Sequence, residues 1–450
     1  MGPFQEMERL DCVVQKYAWG KTGEDSAVAR AKRSGGAERF EVVAGDPYAE
    51  LWMGTHPNGP SKMFSSGRLL YDWLQDQQAS GGAIGQVPEG YPENDIPFMF
   101  KVLSIQTALS IQAHPDKTFA PILHATQPDI YKDPNHKPEM CVALTPMEAL
   151  KGFRPCSEIA KFMGRFPALR DIIGEEASTL FLQLKDDAQN ESEALSILFG
   201  AFLRCSPERA SLCVKALIET LSSEASLKRR EGDEEEEYLC DLIMRLHNDY
   251  PGDPGVFCPF ILNCLQLSPG QAFFMQANEP HAYVKGDIVE VMALSDNVVR
   301  AGLTPKFKDV ETMCKMLDYR SIHDPSLCLV PPLRKDPHCI LYRPPPEACR
   351  EFEVEMITLP ADGSAGEYSL TPAPCASILL FVQAAIGASF RAGGNDHAEP
   401  LCDGAVYFLA AKTSVTLSFA PTTSSSSSTS PDSRTKTDLV VFRAHINLGE

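Results

Sequence analysis

The amino-acid sequence predicts a mainly β fold interrupted by a helical insertion. Residues 1–153 are short apolar runs between Gly, Pro and Asn clusters, the texture of a β-sandwich or barrel. From 154 to about 250 the apolar residues recur at helical spacing instead. β-texture then returns and continues to residue 450. A chain of 450 residues with 44% hydrophobic and 22% charged content is globular, with room for two or three domains.

In the first β region, FMFKVLS (98–104) is an apolar strand holding one lysine, Lys101, which needs a partner or an anionic ligand. LSIQAHPDK (109–117) alternates, so Ser110, Gln112 and His114 share one face and Leu109, Ile111 and Ala113 the other, until Pro115 ends the ladder. NHKPEM (135–140) puts Lys137 and Glu139 on one strand face around Pro138.

The insertion contains SPERASLCVKALIETL, with Ser206 as N-cap and Pro207 at the first helical position. Ala210, Cys213, Val214, Leu217, Ile218 and Leu221 then keep a helical period. Similar periods run through SEIAKFMGRF, SEALSILFGAFL and YLCDLIMRL. EGDEEEE (231–237) reads as a solvated loop leading into a helix, whose N-terminus favours acidic residues.

Strands resume at FILNCLQLSPGQAFFMQANEPHAYVKGDIVEVMAL, and DVETMCKML is a short helix. The Pro-rich VPPLRKDPHCILYRPPPEA links to a second β-domain, in which ASILLFVQAAIGASF reads as two buried strands. That run is too short to span a bilayer. TTSSSSSTSPDS (422–433) reads as a long disordered hairpin loop. The expected boundaries are 1–153 and 254–325 for one split β-domain, 154–253 for the helical domain and 326–450 for the last β-domain.

A formal net charge of -19 argues against nucleic acid or an anionic membrane surface as partner. The fourteen cysteines show no C-x-x-C pair and read as small buried hydrophobes of a reducing compartment. MGPFQEMERLDCVV lacks the apolar stretch of a signal peptide. A cytoplasmic protein is expected.

NEPHAYVKGDIVEVMALSDNVVRAG (278–302) puts His281 and Tyr283 on one face and then offers Glu290, Asp296 and Arg300. Two histidines, a carboxylate and an amide oxygen make a sensible divalent metal site, so Gln112, His114, Glu139 and His281 form a candidate ligand set. Each also has a plainer reading: His281 as a hydrogen-bonded loop histidine, Glu139 as the partner of Lys137 or Lys151.

The stretches YAWG, AELWMGTHPNGP, FKVLSIQTALSIQAHPDK, NHKPEMCVALTP, GFRP and EPHAYVKGDIVEVMALSDNVVRAGLTPKFKDV together resemble type I phosphomannose isomerase over nearly the whole chain. The resemblance implies two jelly-roll (cupin-like) β-domains plus a helical domain. It implies one zinc per chain on Gln112, His114, Glu139 and His281, and an essential Arg300. It places Trp19, Lys101, Ser110, His136 and Tyr283 at the substrate and Lys137, Glu290 and Asp296 among the catalytic residues.

The implied reaction is reversible isomerisation of mannose 6-phosphate and fructose 6-phosphate through a cis-enediolate, supplying mannose 6-phosphate for GDP-mannose synthesis. Lys101 and Lys137 are candidates for the phosphate. Glu290 is the first choice of proton-transfer base, with Asp296, Lys137 or a metal-bound water as alternatives. His136 is expected near the substrate but not on the metal. A monomer is expected. Two rival classes share the scaffold, a non-catalytic sugar-phosphate sensor and, more distantly, an iron oxygenase. Arg300, Lys137 and Glu290 together favour the isomerase.

Overall fold

The structure, a computed structural model, describes residues 6–35, 40–77, 82–227, 234–361, 364, 366–384, 387–392, 398–419 and 438–449. Among them the strands form a sheet of ten, a sheet of eight and a sheet of four, and every pairing between named strands is antiparallel. The serine tract at 422–433 and positions 231–233 of the acidic run lie outside the described residues.

The expectation of two jelly-roll domains is not met. The eight-stranded sheet runs from Leu333–Arg334 to Lys62–Met63, and the four-stranded sheet from Glu367–Leu370 to Glu399–Pro400. Among the described residues no sheet closes on itself, and the fold is a mixed α and β one. The first region is not purely β either, since it carries the helices Ala27–Gly35, Leu70–Gln77 and Phe119–Thr126. These have only eight or nine residues, so a single buried stripe such as Leu70, Trp73 and Leu74 is all the period they show. Such short helices are hard to tell from the turns around them.

Helices occupy the expected insertion: Cys156–Arg165, Pro167–Ile173, Glu175–Leu184, Glu191–Leu203, Pro207–Leu227 and Glu234–Asp249. Ser206 caps the fifth of these, its Oγ accepting from the Arg209 N–H at 3.3 Å. The glutamates of the acidic run that are described form the first turn of the last helix. There Glu235 meets Arg154 at 3.0 Å and Glu236 meets Arg165 at 3.1 Å.

The insertion's apolar stripes share one core with the backs of several strands. Leu169, Phe199, Leu217 and Leu242 pack in the same buried cluster as Ile111, Ala113, Ala282 and Val299. Each fully buried Leu, Ile, Val or Phe among them stabilises the fold by roughly 1.5–3 kcal/mol. One face of the strand Ile111–Ala113 is thereby fixed against helices, and Gln112 is turned the other way.

The long strand His281–Ala293 changes partners at Gly286. Its first half pairs with Ile111–Ala113 and Met147–Phe153, its second with Phe98–Ile105 and Glu139–Ala143. Gly286 sits at φ 130°, where a Cβ would lie 3.0 Å from the Pro146 carbonyl oxygen and the Met147 Cα. Only glycine fits that crossing.

The C-terminal region holds the two strands expected of its apolar run, Ser377–Gln383 and Ala388–Ala392. The first strand of the chain, Met7–Asp11, pairs with Val406–Leu409 and ties the N-terminus into the eight-stranded sheet. All fourteen cysteines are free. Among the described residues no helix is long and apolar enough to cross a membrane.

Candidate functional site

Strand register assembles a polar row on one sheet face. Gln112 lies directly opposite His281 on one side and opposite Arg300 on the other. In the second half of the long strand, Glu290 faces Lys101, which faces Trp52, and Met292 faces Glu139. Opposed residues put their side chains on the same face. These two rows line a cavity of about 580 Å³, a volume suited to a small metabolite.

Trp19, Lys101, Ser110, Gln112, Lys137, Glu139, Tyr283, Glu290, Asp296 and Arg300 all line this cavity. His114 and His281 do not line it, but they converge on Glu139, which does. The Glu139 Oε2 lies 3.4 Å from His114 Nε2 and 3.6 Å from His281 Nε2. The ligand atoms of all three residues fall within 4.8 Å of one another.

The other ring nitrogens explain why these atoms point inward. His114 Nδ1 lies 2.7 Å from the Asn297 carbonyl oxygen and His281 Nδ1 lies 2.9 Å from that of Glu279. A carbonyl only accepts, so each Nδ1 carries the proton and each Nε2 presents a lone pair. Burial drives the His114 pKa down to about 4, which keeps that imidazole neutral. Burial alone would raise the Glu139 pKa, but the charges around it, the Lys137 ammonium among them, hold it well below the usual carboxylate range.

Glu139 Oε1 is taken by Lys137 at 3.2 Å. Among the described residues, its Oε2 and both Nε2 atoms are buried without a hydrogen-bond partner. Three convergent, unsatisfied acceptors at the protein interior fit a divalent cation of zinc's ligand preference. Gln112 is their neighbour in register, and its Oε1 accepts from the Ser110 hydroxyl at 3.2 Å.

A second buried cluster stands beside the first. Lys101 Nζ lies 3.1 Å from Glu290 Oε2 and 3.5 Å from Glu50 Oε2. The Trp52 indole N–H also donates to Glu50, and the Tyr283 hydroxyl donates to Glu290 Oε1 at 2.9 Å. Burial works against charge on Lys101, yet Glu290 and Glu50 raise its pKa above the ordinary value. Burial raises the Glu290 pKa, and Lys101 only partly offsets it. Asp296 moves the other way, lowered first by its contact with His56, 3.3 Å away.

His136 turns out of this arrangement. Its Nε2 lies 2.5 Å from Glu351 Oε1, and it does not line the cavity. Glu50, Trp52, Thr304 and Lys306 line the cavity without having been singled out in the sequence. Glu50 carried a usable signal: in AELWM it is a charged residue inside an apolar strand, as Lys101 is in FMFKVLS. Asn297 had none, because it acts through its carbonyl oxygen. The backbone of Asn297 is set by its side chain, which donates to the Asp133 and Asn135 carbonyls at 2.7 and 2.9 Å.

Comparison with known proteins bears on this geometry. Family models for "Phosphomannose isomerase type I, catalytic domain" and its "helical insertion domain" match residues 7–156 and 172–262. The mannose-6-phosphate isomerase of Bos taurus is 44% identical over 92% of this chain and 95% of that protein. That of Homo sapiens is 41% identical over 97% of both.

A crystal structure of zinc-bound mannose 6-phosphate isomerase superposes with a TM-score of 0.76 at 29% identity, covering 99% of this chain and all of that one. The apo form from Salmonella typhimurium gives the same values. With its His114–Glu139–His281 triad in place, this chain belongs to the type I phosphomannose isomerase family.

Proposed function

We infer that this chain is an enzyme that reversibly interconverts mannose 6-phosphate and fructose 6-phosphate in the 580 Å³ cavity, with zinc held by His114, Glu139 and His281. The observation that carries this reading is the convergence of three otherwise unpartnered ligand atoms at Glu139, which lines a metabolite-sized cavity. When bound, zinc supplies a Lewis acid that polarises the sugar's oxygens. Gln112 is the fourth protein ligand, one position across the sheet from His281.

The chain's own residues divide the remaining work. Isomerisation moves a proton between carbon 2 and carbon 1 of the open-chain sugar, through a cis-enediolate. Glu290 takes and returns that proton: it is buried, its pKa is raised, and Tyr283 and Lys101 fix its two oxygens. Lys101 is engaged by Glu50 and Glu290, and Lys137 by Glu139, so neither is the main phosphate ligand.

Arg300 and Lys306 have no ion-pair partner among the described residues, and both line the cavity with Thr304. Lys306 and Thr304 hold the phosphate, while Arg300, opposite Gln112 in register, stabilises the charge that develops on the sugar. Asp296, kept ionised by His56, and Trp19 shape the rim.

The catalytic domain comprises 1–153 and 254–325, the helical domain 154–253 and the last domain 326–450. We assign the enzyme to the cytoplasm as a monomer, acting on small sugar phosphates.

The direct test is to mix the purified chain with fructose 6-phosphate and follow mannose 6-phosphate by coupled assay, before and after chelation. Product that forms only with metal, at about one zinc per chain, supports the reading. No product from zinc-loaded protein sinks it, and the non-catalytic sensor then takes its place.

A further inference from the structure

The eight-stranded sheet has a second place where its inner face turns from apolar to charged. On the strand Glu353–Leu359, Ile357 and Leu359 belong to the core shared with the four-stranded sheet, as do Leu439 and Val441 on Leu439–His445. Two residues further along the same face, register sets Glu355 opposite Arg443 and Glu353 opposite His445. Glu353, Glu355 and Arg443 are 2–4% exposed and His445 7%, depths at which charges need a reason to be present. A cavity of about 170 Å³ opens onto them.

Among the described residues the charges there do not balance. The carboxylates described are Glu353 and Glu355, and four cationic groups surround them. Arg343 pairs with Glu353 through Nε and Oε2 at 2.5 Å. Lys335 reaches Glu355 at 2.6 Å, and Arg443 reaches it at 3.4 Å. Arg443 also donates to the Ser377 hydroxyl at 3.1 Å and the Thr371 carbonyl at 2.8 Å.

His445 is the fourth cation. Burial opposes its charge, but contacts with Cys375 and Glu355 lift its pKa to about 9, so it is protonated at neutral pH. Its Nδ1 lies 3.2 Å from the Ile446 carbonyl oxygen. Its Nδ1 also lies 3.4 Å from Glu353 Oε1, while its buried Nε2 has no hydrogen-bond partner among the described residues and is 3.8 Å from Glu355 Oε1. A protonated imidazole with a free N–H at a cavity wall asks for an acceptor.

We propose that this cavity is a second ligand site, built to bind a small oxyanion, either inorganic phosphate or the phosphate of a monoester, between His445, Arg443 and Lys335. Among the described residues, two carboxylates against four cations leave an excess of positive charge, which a phosphate anion offsets. Arginine and lysine are the side chains best suited to that group. The site is separate from the isomerase cavity, with which it shares no lining residue.

The test counts phosphates on the zinc-loaded full chain, by equilibrium dialysis with radiolabelled inorganic phosphate and by 31P NMR. Two phosphates per chain are expected. Lys306→Ala should weaken one, whereas His445→Gln and Lys335→Gln should each weaken the other at least tenfold without changing turnover. Repeating the count with mannose 6-phosphate distinguishes a monoester site from one that admits only the free ion.

A single phosphate that responds only to Lys306→Ala overturns the proposal. So does a second phosphate indifferent to both C-terminal variants. Should His445→Gln not fold, Lys335→Gln decides alone, since its side chain is 38% exposed. Failure of the isomerase reading would appear as absent turnover, and leaves the count of the second phosphate unaffected.

Discussion

The catalytic cavity and the C-terminal cavity are both places where a sheet's inner face turns from apolar to polar, and they differ in what is left unsatisfied. In the first, the buried orphans are Glu139 Oε2 and the Nε2 atoms of His114 and His281, all with lone pairs to offer. In the second, the orphan is the Nε2 of a charged His445, which has a proton to give. Surplus acceptors call for a cation and surplus donors for an anion. The sign of the missing partner therefore lies in a second proton: each ring turns Nδ1–H to a carbonyl, that of Asn297, Glu279 or Ile446, and the charged His445 carries a further proton on Nε2.

The largest effect should come from removing one of the surplus acceptors. His281→Ala leaves Glu139 and His114 without the third convergent atom, so zinc content and turnover should fall together. The loss should exceed the roughly 10–100-fold that an outer partner of a metal ligand is worth. Metal analysis alongside the coupled assay checks this, with circular dichroism unchanged because the β-cores rest on apolar burial. Full zinc content in the variant would remove the triad from its role.

Arg300→Ala tests the same site without touching a ligand. Zinc should stay near one per chain while kcat falls by on the order of 10²–10³, the usual scale for deleting one donor aimed at developing charge. Lys306→Ala should instead raise KM with kcat nearly intact. Interchanged results would swap the two assignments.

Much of the catalytic cavity was legible in the sequence because its residues break a local pattern. Lys101 interrupts an apolar strand, and Gln112 and His114 occupy the polar face of an alternating one, so period alone brings them together. The pairing of that face with His281 and Glu139 depends on Gly286, where one strand changes sheet partners, and no local period encodes it.

Helices long enough to show several turns, such as Pro207–Leu227, stood out in the sequence, while Leu70–Gln77 was hidden among turns. The jelly-roll expectation came from resemblance rather than from periodicity. How sheets are joined is a matter of long-range pairing, and it is here that the expectation failed. The C-terminal charges were equally unreadable, for Glu353, Glu355, Arg443 and His445 alternate with apolar residues as on any half-solvated strand, and only their burial marks them.

pH separates the two regions next. The folded pKa of His445, about 9, lies above its ordinary 6.5 in the presence of Glu353, Glu355, Arg443 and Cys375. A raised pKa means the stabilisation is fully present below 6.5 and is lost as pH climbs through 9. The difference corresponds to roughly 3 kcal/mol at full effect. Urea unfolding at intervals between pH 6 and 9.5 should therefore show wild type losing stability that His445→Gln never had, so the two curves converge at high pH. Parallel curves would mean that His445 is not charged in the fold.

The smallest effect is expected from Lys335→Gln, and its smallness is informative. Lys335 and Lys137 each reach a buried glutamate, at 2.6 and 3.2 Å, but Lys335 is 38% exposed where Lys137 is 10%. Water screens the outer pair, and Glu355 keeps Arg443 as a second partner, so the variant should lose about 1 kcal/mol or less. Turnover and zinc content should not change, because the two cavities share no lining residue. Lys137→Gln, by contrast, frees Glu139 Oε1 inside the metal centre and should disturb both. The comparison fails if the two variants behave alike: a Lys335→Gln enzyme with altered turnover would mean that the C-terminal charges report to the active site.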